Sequence, residues 1–258
     1  MLPAYLKNFD LTGQLALVTG SSAGIGFALA RALGAAGASL VINGRNTAKV
    51  DEAVARLTKE GFKAHAVPFD VTDSAAVTRG VDHIASAIGA IDILVNNAGM
   101  TFRSPLEDFP EEQWHNIMRT NLDSVFLVSK AVVHHMIPRK SGKIVNICSV
   151  QSELGRPTIA PYAASKGGLK MLTKGMAIDW GKYNIQVNAI GPGYFKTELT
   201  EKLVKDAVFT EWLVAHTPSK RWGDVEDLGG AMVFLASHAS DFVNGHILYV
   251  DGGVTASL

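Results

Sequence analysis

The chain has 258 residues, 47% of them hydrophobic and 19% charged, enough apolar material for one large core. Lysine plus arginine equals aspartate plus glutamate at 24 each, so no charge surplus points to nucleic acid or to an anionic membrane surface. Cys148 is the sole cysteine, which excludes an intrachain disulfide or a cysteine metal cluster and suits a reducing cytoplasm. The N-terminal stretch contains Asp10 and lacks a basic segment followed by an apolar core, and no apolar run approaches the roughly 20 residues that cross a bilayer. A cytoplasmic, unprocessed protein of one domain is expected over residues 1–258, with 1–10 as an N-terminal extension.

Short β-rich runs alternate with longer helical patterns. Residues 15–19 predict a first strand, which runs through Gly20-Ser21-Ser22-Ala23-Gly24-Ile25-Gly26 into a helix over 25–34. Glycines at that spacing allow a tight turn and let backbone N–H groups and a helix N-terminus approach a pyrophosphate. The second predicted strand, 39–43, is followed by Gly44 and Arg45. Gly44 stands where an acid would bond a ribose 2′-hydroxyl, and the Arg45 guanidinium suits a 2′-phosphate, so NADP is favoured, with NAD as the alternative. For Arg45 a solvated surface position is the competing reading. A helix over 47–59, a strand over 64–69, a helix over 74–88 and a strand over 91–96 follow, then a helix over 111–137 and a strand over 143–149. The helix over 162–181 places Tyr162 and Lys166 four residues apart, on one face. An ammonium beside a phenol favours the phenolate, so Lys166 would activate Tyr162 for proton transfer. A strand over 185–190, a helix over 225–237 and a strand over 246–250 complete the pattern. Most of the strands are apolar throughout, as in strands covered on both faces, and the alternation implies a doubly wound, seven-stranded parallel α/β sheet binding ligands at its carboxyl ends.

With these motifs in order, the chain resembles the short-chain dehydrogenase/reductase family from about Phe9 to Gly253. The resemblance implies a single Rossmann-like domain whose cofactor loop includes Gly20, Ser22, Gly24, Ile25 and Gly26. It makes Asp70 and Val71 adenine contacts, matches Asn96-Asn97-Ala98-Gly99 to the family element after the fourth strand, and makes Pro192, Gly193 and Thr197 the cover of the nicotinamide. Ser149, thirteen residues before Tyr162, would donate to the substrate oxygen, and Lys166 would also hold the nicotinamide ribose. Asn121 would hold a water linking the lysine to solvent. A homotetramer is implied, formed through the long fourth and fifth helices and the C-terminal strand.

Within the family, the segments around Ser149 to Arg156, Gly193 to Glu198 and Lys220 to Asp224 resemble the gluconate 5-dehydrogenases, which implies a sugar acid and its 5-keto form as substrates. A polyhydroxy carboxylate needs a cation and several polar groups. Arg103 is the first candidate for the carboxylate, with Arg156 and Lys196 behind it, and Glu153 would accept hydroxyl hydrogen bonds or help hold a cation. The alternatives are a loop ion pair between Glu153 and Arg156 and a solvated Lys196. The eight histidines show no ligand spacing, so no catalytic metal is expected. Two other functions compete: a reductase of bulkier ketones or 3-oxoacyl groups, against which Arg103 and the polar Gln151–Glu153 loop argue, and a non-catalytic dinucleotide sensor, which would not need Asn121, Ser149, Tyr162 and Lys166 together.

Overall fold

The computed structural model describes residues 3–257, with Ala4 and Leu199 described by backbone alone. Residues 1 and 2 of the expected N-terminal extension, and residue 258, lie outside the described residues. Seven strands form one parallel sheet: β1 (Leu15–Val18), β2 (Ser39–Ile42), β3 (Ala64–Ala66), β4 (Ile93–Asn96), β5 (Gly142–Ile147), β6 (Ile185–Pro192) and β7 (Ile247–Val250). Their order is β3-β2-β1-β4-β5-β6-β7, so the winding reverses between β1 and β4 and opens a crevice at the carboxyl ends of those two strands.

Successive residues of each strand feed opposite cores, as the period of two requires. Leu15 and Leu17 of β1 pack with Leu94 of β4, Ile144 of β5 and Val187 of β6 on one face. Ala16 and Val18 pack with Ile93, Val95, Val145 and Ile190 on the other. Helices cover both layers: α1 (Ala4–Lys7), α2 (Gly24–Ala35), α3 (Thr47–Lys59), α4 (Ser74–His83), α5 (Glu111–Met118), α6 (Ser124–Met136), α7 (Ala160–Trp180), α8 (Glu201–Val204), α9 (Ala207–His216) and α10 (Gly229–Ala236).

The expected sheet is present, and its departures from the pattern have local causes. The run over 64–69 is a strand only to Ala66, because the Asn43 amide then takes the carbonyls of Val67 and Phe69 in place of a ladder. The helix expected over 111–137 is broken by a π-helical turn at Arg119–Asp123, which contains Asn121. A second π turn, Ile84–Ile88, ends the helix that follows Asp73. The short α1, α8 and α9 carry no periodic signal: Val208 and Trp212 of α9 are exposed large apolar groups on what would have to be its polar side.

Beneath the crevice the sheet carries a polar chain inside the core. The Asn96 amide donates to Ser129 Oγ and to Asn146 Oδ1 at 2.9 Å each, and the Asn146 amide donates to Thr173 Oγ1 at 2.9 Å. All four residues are buried, and the chain joins β4, β5, α6 and α7. Truncating Asn146 to Ala leaves an Asn96 N–H without an acceptor and Thr173 Oγ1 without a donor, although the threonine hydroxyl keeps its bond to the Leu169 carbonyl. Each buried unpaired group costs about 1–3 kcal/mol, so urea unfolding should show a lower midpoint at unchanged slope, corresponding to a loss of at least about 1 kcal/mol. A loss below about 0.5 kcal/mol, the range of neutral surface substitutions, would show that the chain contributes nothing.

Candidate active site

The glycine turn between β1 and α2 is shaped by close approach to the end of β4. Gly20 lies at φ +61°, and a Cβ there would sit 2.9 Å from the Ala98 backbone. A Cβ on Gly26 would collide with the Asn97 amide and lie 2.5 Å from the Gly20 carbonyl. That amide holds the turn, donating to the carbonyls of Thr19 at 2.9 Å and Gly20 at 3.0 Å, while Thr19 Oγ1 accepts the N–H groups of Asn97 and Ala98. Gly24, at φ +57°, has nothing within 4 Å of where a Cβ would stand, so the loop offers an open cradle. Asn46 and Asp73 cap α3 and α4 by accepting first-turn N–H groups, whereas Ala23 leaves the first turn of α2 without a side-chain cap or an acid. Those amides therefore face the cleft with their partial positive charge uncompensated, which fits the pyrophosphate of a dinucleotide.

The cleft has a volume of about 480 Å³, and the residues predicted for the cofactor line it: the glycine loop with Ser22 and Ile25, then Arg45, Asp70, Val71, Asn97, Ala98, Gly99, Tyr162, Lys166, Pro192, Gly193 and Thr197. Arg45 is exposed and its nearest acid is Asp70 Oδ2 at 3.9 Å, a solvated contact that leaves the guanidinium available. Gly44 lies beside Ser22, whose Oγ would be 3.4 Å from a Cβ at that position.

Ser149, Tyr162 and Lys166 converge on the same cleft, but not in the arrangement that spacing alone suggests. Lys166 Nζ donates to the Ile147 carbonyl at 2.6 Å and lies 5.8 Å from the centre of the Tyr162 ring. Burial pushes the Tyr162 phenol up, and the Ser149 hydroxyl beside it acts in the opposite direction. Burial also pulls the Lys166 ammonium down. Burial dominates at the phenol, and the Lys166 ammonium is engaged with the Ile147 carbonyl. Ser149 Oγ accepts the Gln151 N–H at 3.1 Å, capping a 3-10 turn over Val150–Ser152.

Asn121 is wholly buried and does not line the cleft. Its Oδ1 accepts the Met100 N–H at 2.8 Å, and its Nδ2 donates to the Met100 carbonyl at 2.9 Å and to Ser165 Oγ at 3.1 Å. The side chain is fully used in tying the loop after β4 to α7.

The substrate candidates divide. The Ser104 N–H donates to the Thr158 carbonyl at 3.2 Å, drawing the loops that carry Arg103 and Arg156 together. Burial and the neighbouring Arg156 both push Arg103 down, and neither guanidinium has a carboxylate within 4.0 Å among the described residues. Arg156 Nη1 donates to Tyr194 Oη at 3.2 Å, and its guanidinium lies 4.5 Å over the Phe209 ring. Glu153 does not pair with Arg156 but accepts from Lys170 and from Tyr249 Oη, the latter at 2.9 Å. Lys196 is paired with Asp224 at 3.0 Å. Among the described residues no group of three or more His, Cys, Asp or Glu side chains is arranged to hold a metal.

Sequence reasoning missed the aromatic wall around Arg156, built from Tyr194, Phe209, Trp212 and Trp222. A signal was present: five aromatic residues fall between 194 and 222, in a stretch with no strand or helix period.

With this geometry in place the comparisons are decisive for the family. The model described as enoyl-(acyl carrier protein) reductase matches residues 20–255. The chain belongs to the short-chain dehydrogenase/reductase family. It is 57% identical to the gluconate 5-dehydrogenase of Gluconobacter oxydans (strain 621H) over 250 residues, covering 97% of this chain and 98% of that protein. It is 54% identical to the 5-keto-D-gluconate 5-reductase of Escherichia coli (strain K12), with the same coverage. The crystal structure of a gluconate 5-dehydrogenase from Burkholderia cenocepacia J2315 in complex with NADP and tartrate superposes with a TM-score of 0.96 at 56% identity, covering 98% of this chain and 99% of that one. The chain is accordingly a dehydrogenase of CH–OH groups with the Rossmann-like fold of this family.

The opposition between burial and Ser149 at the phenol is measurable. In the ligand-free protein Tyr162, isolated as the difference between wild type and Tyr162→Phe in an ultraviolet titration, should ionise above the ordinary tyrosine value of about 10. Ser149→Ala, which removes the opposing hydrogen bond, should move it further up. A Tyr162 that ionises below its ordinary value would contradict the dominance of burial.

Proposed function

We propose that the chain interconverts D-gluconate and 5-keto-D-gluconate with NADP(H), with Tyr162 as the proton-transfer group. The observation that carries this reading is the convergence of Ser149, Tyr162 and Lys166 on the cleft that the glycine loop lines, and it is supported by Arg103 and Arg156, neighbouring cations with no carboxylate partner among the described residues. A gluconate 5-dehydrogenase and a 5-keto-D-gluconate 5-reductase, each more than half identical to this chain, agree with it.

The uncapped first turn of α2 would hold the pyrophosphate, Asp70 and Val71 the adenine, and Pro192, Gly193 and Thr197 the nicotinamide. Arg45 would take the 2′-phosphate. Bound NADP(H) accepts or supplies the hydride at the nicotinamide ring. Ser149 donates to the reacting oxygen. Tyr162 gives its phenolic proton to that oxygen in reduction and recovers it in oxidation. Lys166, now on the Ile147 carbonyl, would hold the nicotinamide ribose, and its charge beside the phenol would favour the phenolate. Asn121 keeps the loop after β4 fixed against α7, and the relay water of the family is left to its backbone. Arg103, backed by Arg156, pairs with the substrate carboxylate, a charge-assisted contact that a bulky neutral ketone does not use. The same reading takes the chain as one domain and as a homotetramer, for which the exposed Phe126 of α6 and Met171 and Ile178 of α7 offer apolar surface.

Two measurements test the reading. Purified protein should reduce 5-keto-D-gluconate with NADPH, and a folded Tyr162→Phe variant should retain NADP binding while losing roughly 10²- to 10⁴-fold in turnover, the usual contribution of a positioned acid or base. Wild-type turnover by that variant would exclude Tyr162 from the proton transfer. For the cofactor, Arg45→Asp should raise the KM for NADP at least tenfold and leave NAD use unchanged or improved. Equal use of both cofactors before and after the substitution would remove Arg45 from the phosphate site.

A further inference from the structure

The strip of chain after β6 serves two sides. Gly193, Phe195 and Thr197 line the cofactor cleft, while the residues between them turn away, Lys196 to Asp224 and Tyr194 to Arg156. Such alternation is that of extended backbone. The strip is fastened around Tyr194: the Gly223 N–H donates to the Tyr194 carbonyl at 2.9 Å, and the Lys196 N–H donates to the Gly223 carbonyl at 3.0 Å. The Tyr194 ring meets Phe209 and Trp222 edge-on, with ring centres 5.7 and 6.0 Å away.

Arg156 is the group that this strip holds. From Glu153 to Thr158 every residue is exposed except Arg156, which is half-buried. Its Nη1 donates to Tyr194 Oη at 3.2 Å, and its guanidinium lies 4.5 Å from the centre of the Phe209 ring and 5.7 Å from that of Tyr194. A ring face keeps a cation near but lets it turn, whereas a hydrogen bond to the hydroxyl fixes the direction of the planar fork. The loop is bent in support: Thr158 lies at φ +70°, a strained conformation for a β-branched residue, and its carbonyl accepts the Ser104 N–H beside Arg103. The Tyr194 phenol is also close enough to Tyr162 and to Arg103 to act on the ionisation of both. One tyrosine thus lies within electrostatic reach of the proton-transfer group and of both guanidiniums.

We infer that Tyr194 is a positioning residue for the substrate carboxylate, its hydroxyl orienting Arg156 from the side of the strip opposite the cofactor cleft. The inference rests on the sugar-acid reading above and deepens it. An arginine ordered before the substrate arrives spares the complex the entropy of ordering it, so the contribution falls on substrate affinity and not on the chemical step.

The test pairs 5-keto-D-gluconate with L-sorbose, which has the same carbon chain and ketone but a CH2OH group in place of the carboxylate. Tyr194→Phe keeps the ring in its packing and removes the hydroxyl alone. With NADPH, the KM for 5-keto-D-gluconate should rise about tenfold, the scale of one hydrogen bond to a charged group, while kcat and the KM for NADPH stay within about twofold. The kcat/KM for L-sorbose should not change. Arg156→Lys, which keeps the charge without the planar fork, should raise the same KM with the tyrosine intact. In an Arg156→Met background Tyr194→Phe should have no further effect, so a double-mutant cycle assigns the loss to the pair. An unchanged KM in either single variant would overturn the inference. So would a fall in kcat, an equal loss on L-sorbose or the same loss without Arg156, since Tyr194 would then serve the reaction centre or the fold. A wild-type protein inert towards 5-keto-D-gluconate would instead overturn the gluconate reading, and this inference with it.

Discussion

Close backbone approach at the β1 end governs the rest of the site. Gly20 and Gly26 let the first turn settle against Ala98 and Asn97, and any side chain at either position would separate them. That contact brings the N-terminus of α2 to the carboxyl end of β4, at the place where the strand order reverses. In a parallel sheet buried on both faces most strand interiors serve two apolar layers, so a ligand is met where the strands end. The glycine cradle after β1, the serine at the end of β5 and the segment after β6 all lie at that one edge of the sheet.

Polar ties within the core then decide how accurately α7 meets that edge. The buried chain from Asn96 through Asn146 reaches Thr173 in the middle of α7, and Asn121 reaches Ser165 near its start. Ser165 in turn donates to the Tyr162 carbonyl at 2.7 Å. Hydrogen bonds of this kind have one satisfactory geometry, unlike apolar contacts, which tolerate sliding. The π turn at Arg119–Asp123 serves the same end, as it rotates Asn121 into the gap between the loop after β4 and α7, where a regular helix would point it elsewhere.

Strand identity and the residues lining the cleft were legible in the sequence because each depends on a local rule. Apolar runs report burial on both faces, glycines report positive φ or close approach, and a four-residue interval reports a shared helix face. The behaviour of Lys166 was not legible: spacing placed it beside Tyr162, but its 2.6 Å bond to Ile147 depends on where the end of β5 lies. The partners of Glu153 were not legible for a similar reason, since Tyr249 is 96 residues away. The aromatic wall escaped because α9 has apolar residues on more than one side, so its contribution comes from tertiary packing around Arg156 rather than from periodicity.

The bond between Glu153 and Tyr249 gives the last strand a second duty. β7 is an edge strand, and its Tyr249 ring covers Gly191 of β6 while its hydroxyl reaches the turn after Ser149. The end of the chain therefore acts as a clasp on the segment that carries the serine. A chain truncated before residue 247 would lose more than a sheet edge: the loop that presents Ser149 and Gln151 would keep its hold on α7 through Lys170 and Ser152 but lose its hold on the sheet. Shortening from the C-terminus and loosening of the reactive loop are, in this architecture, one event.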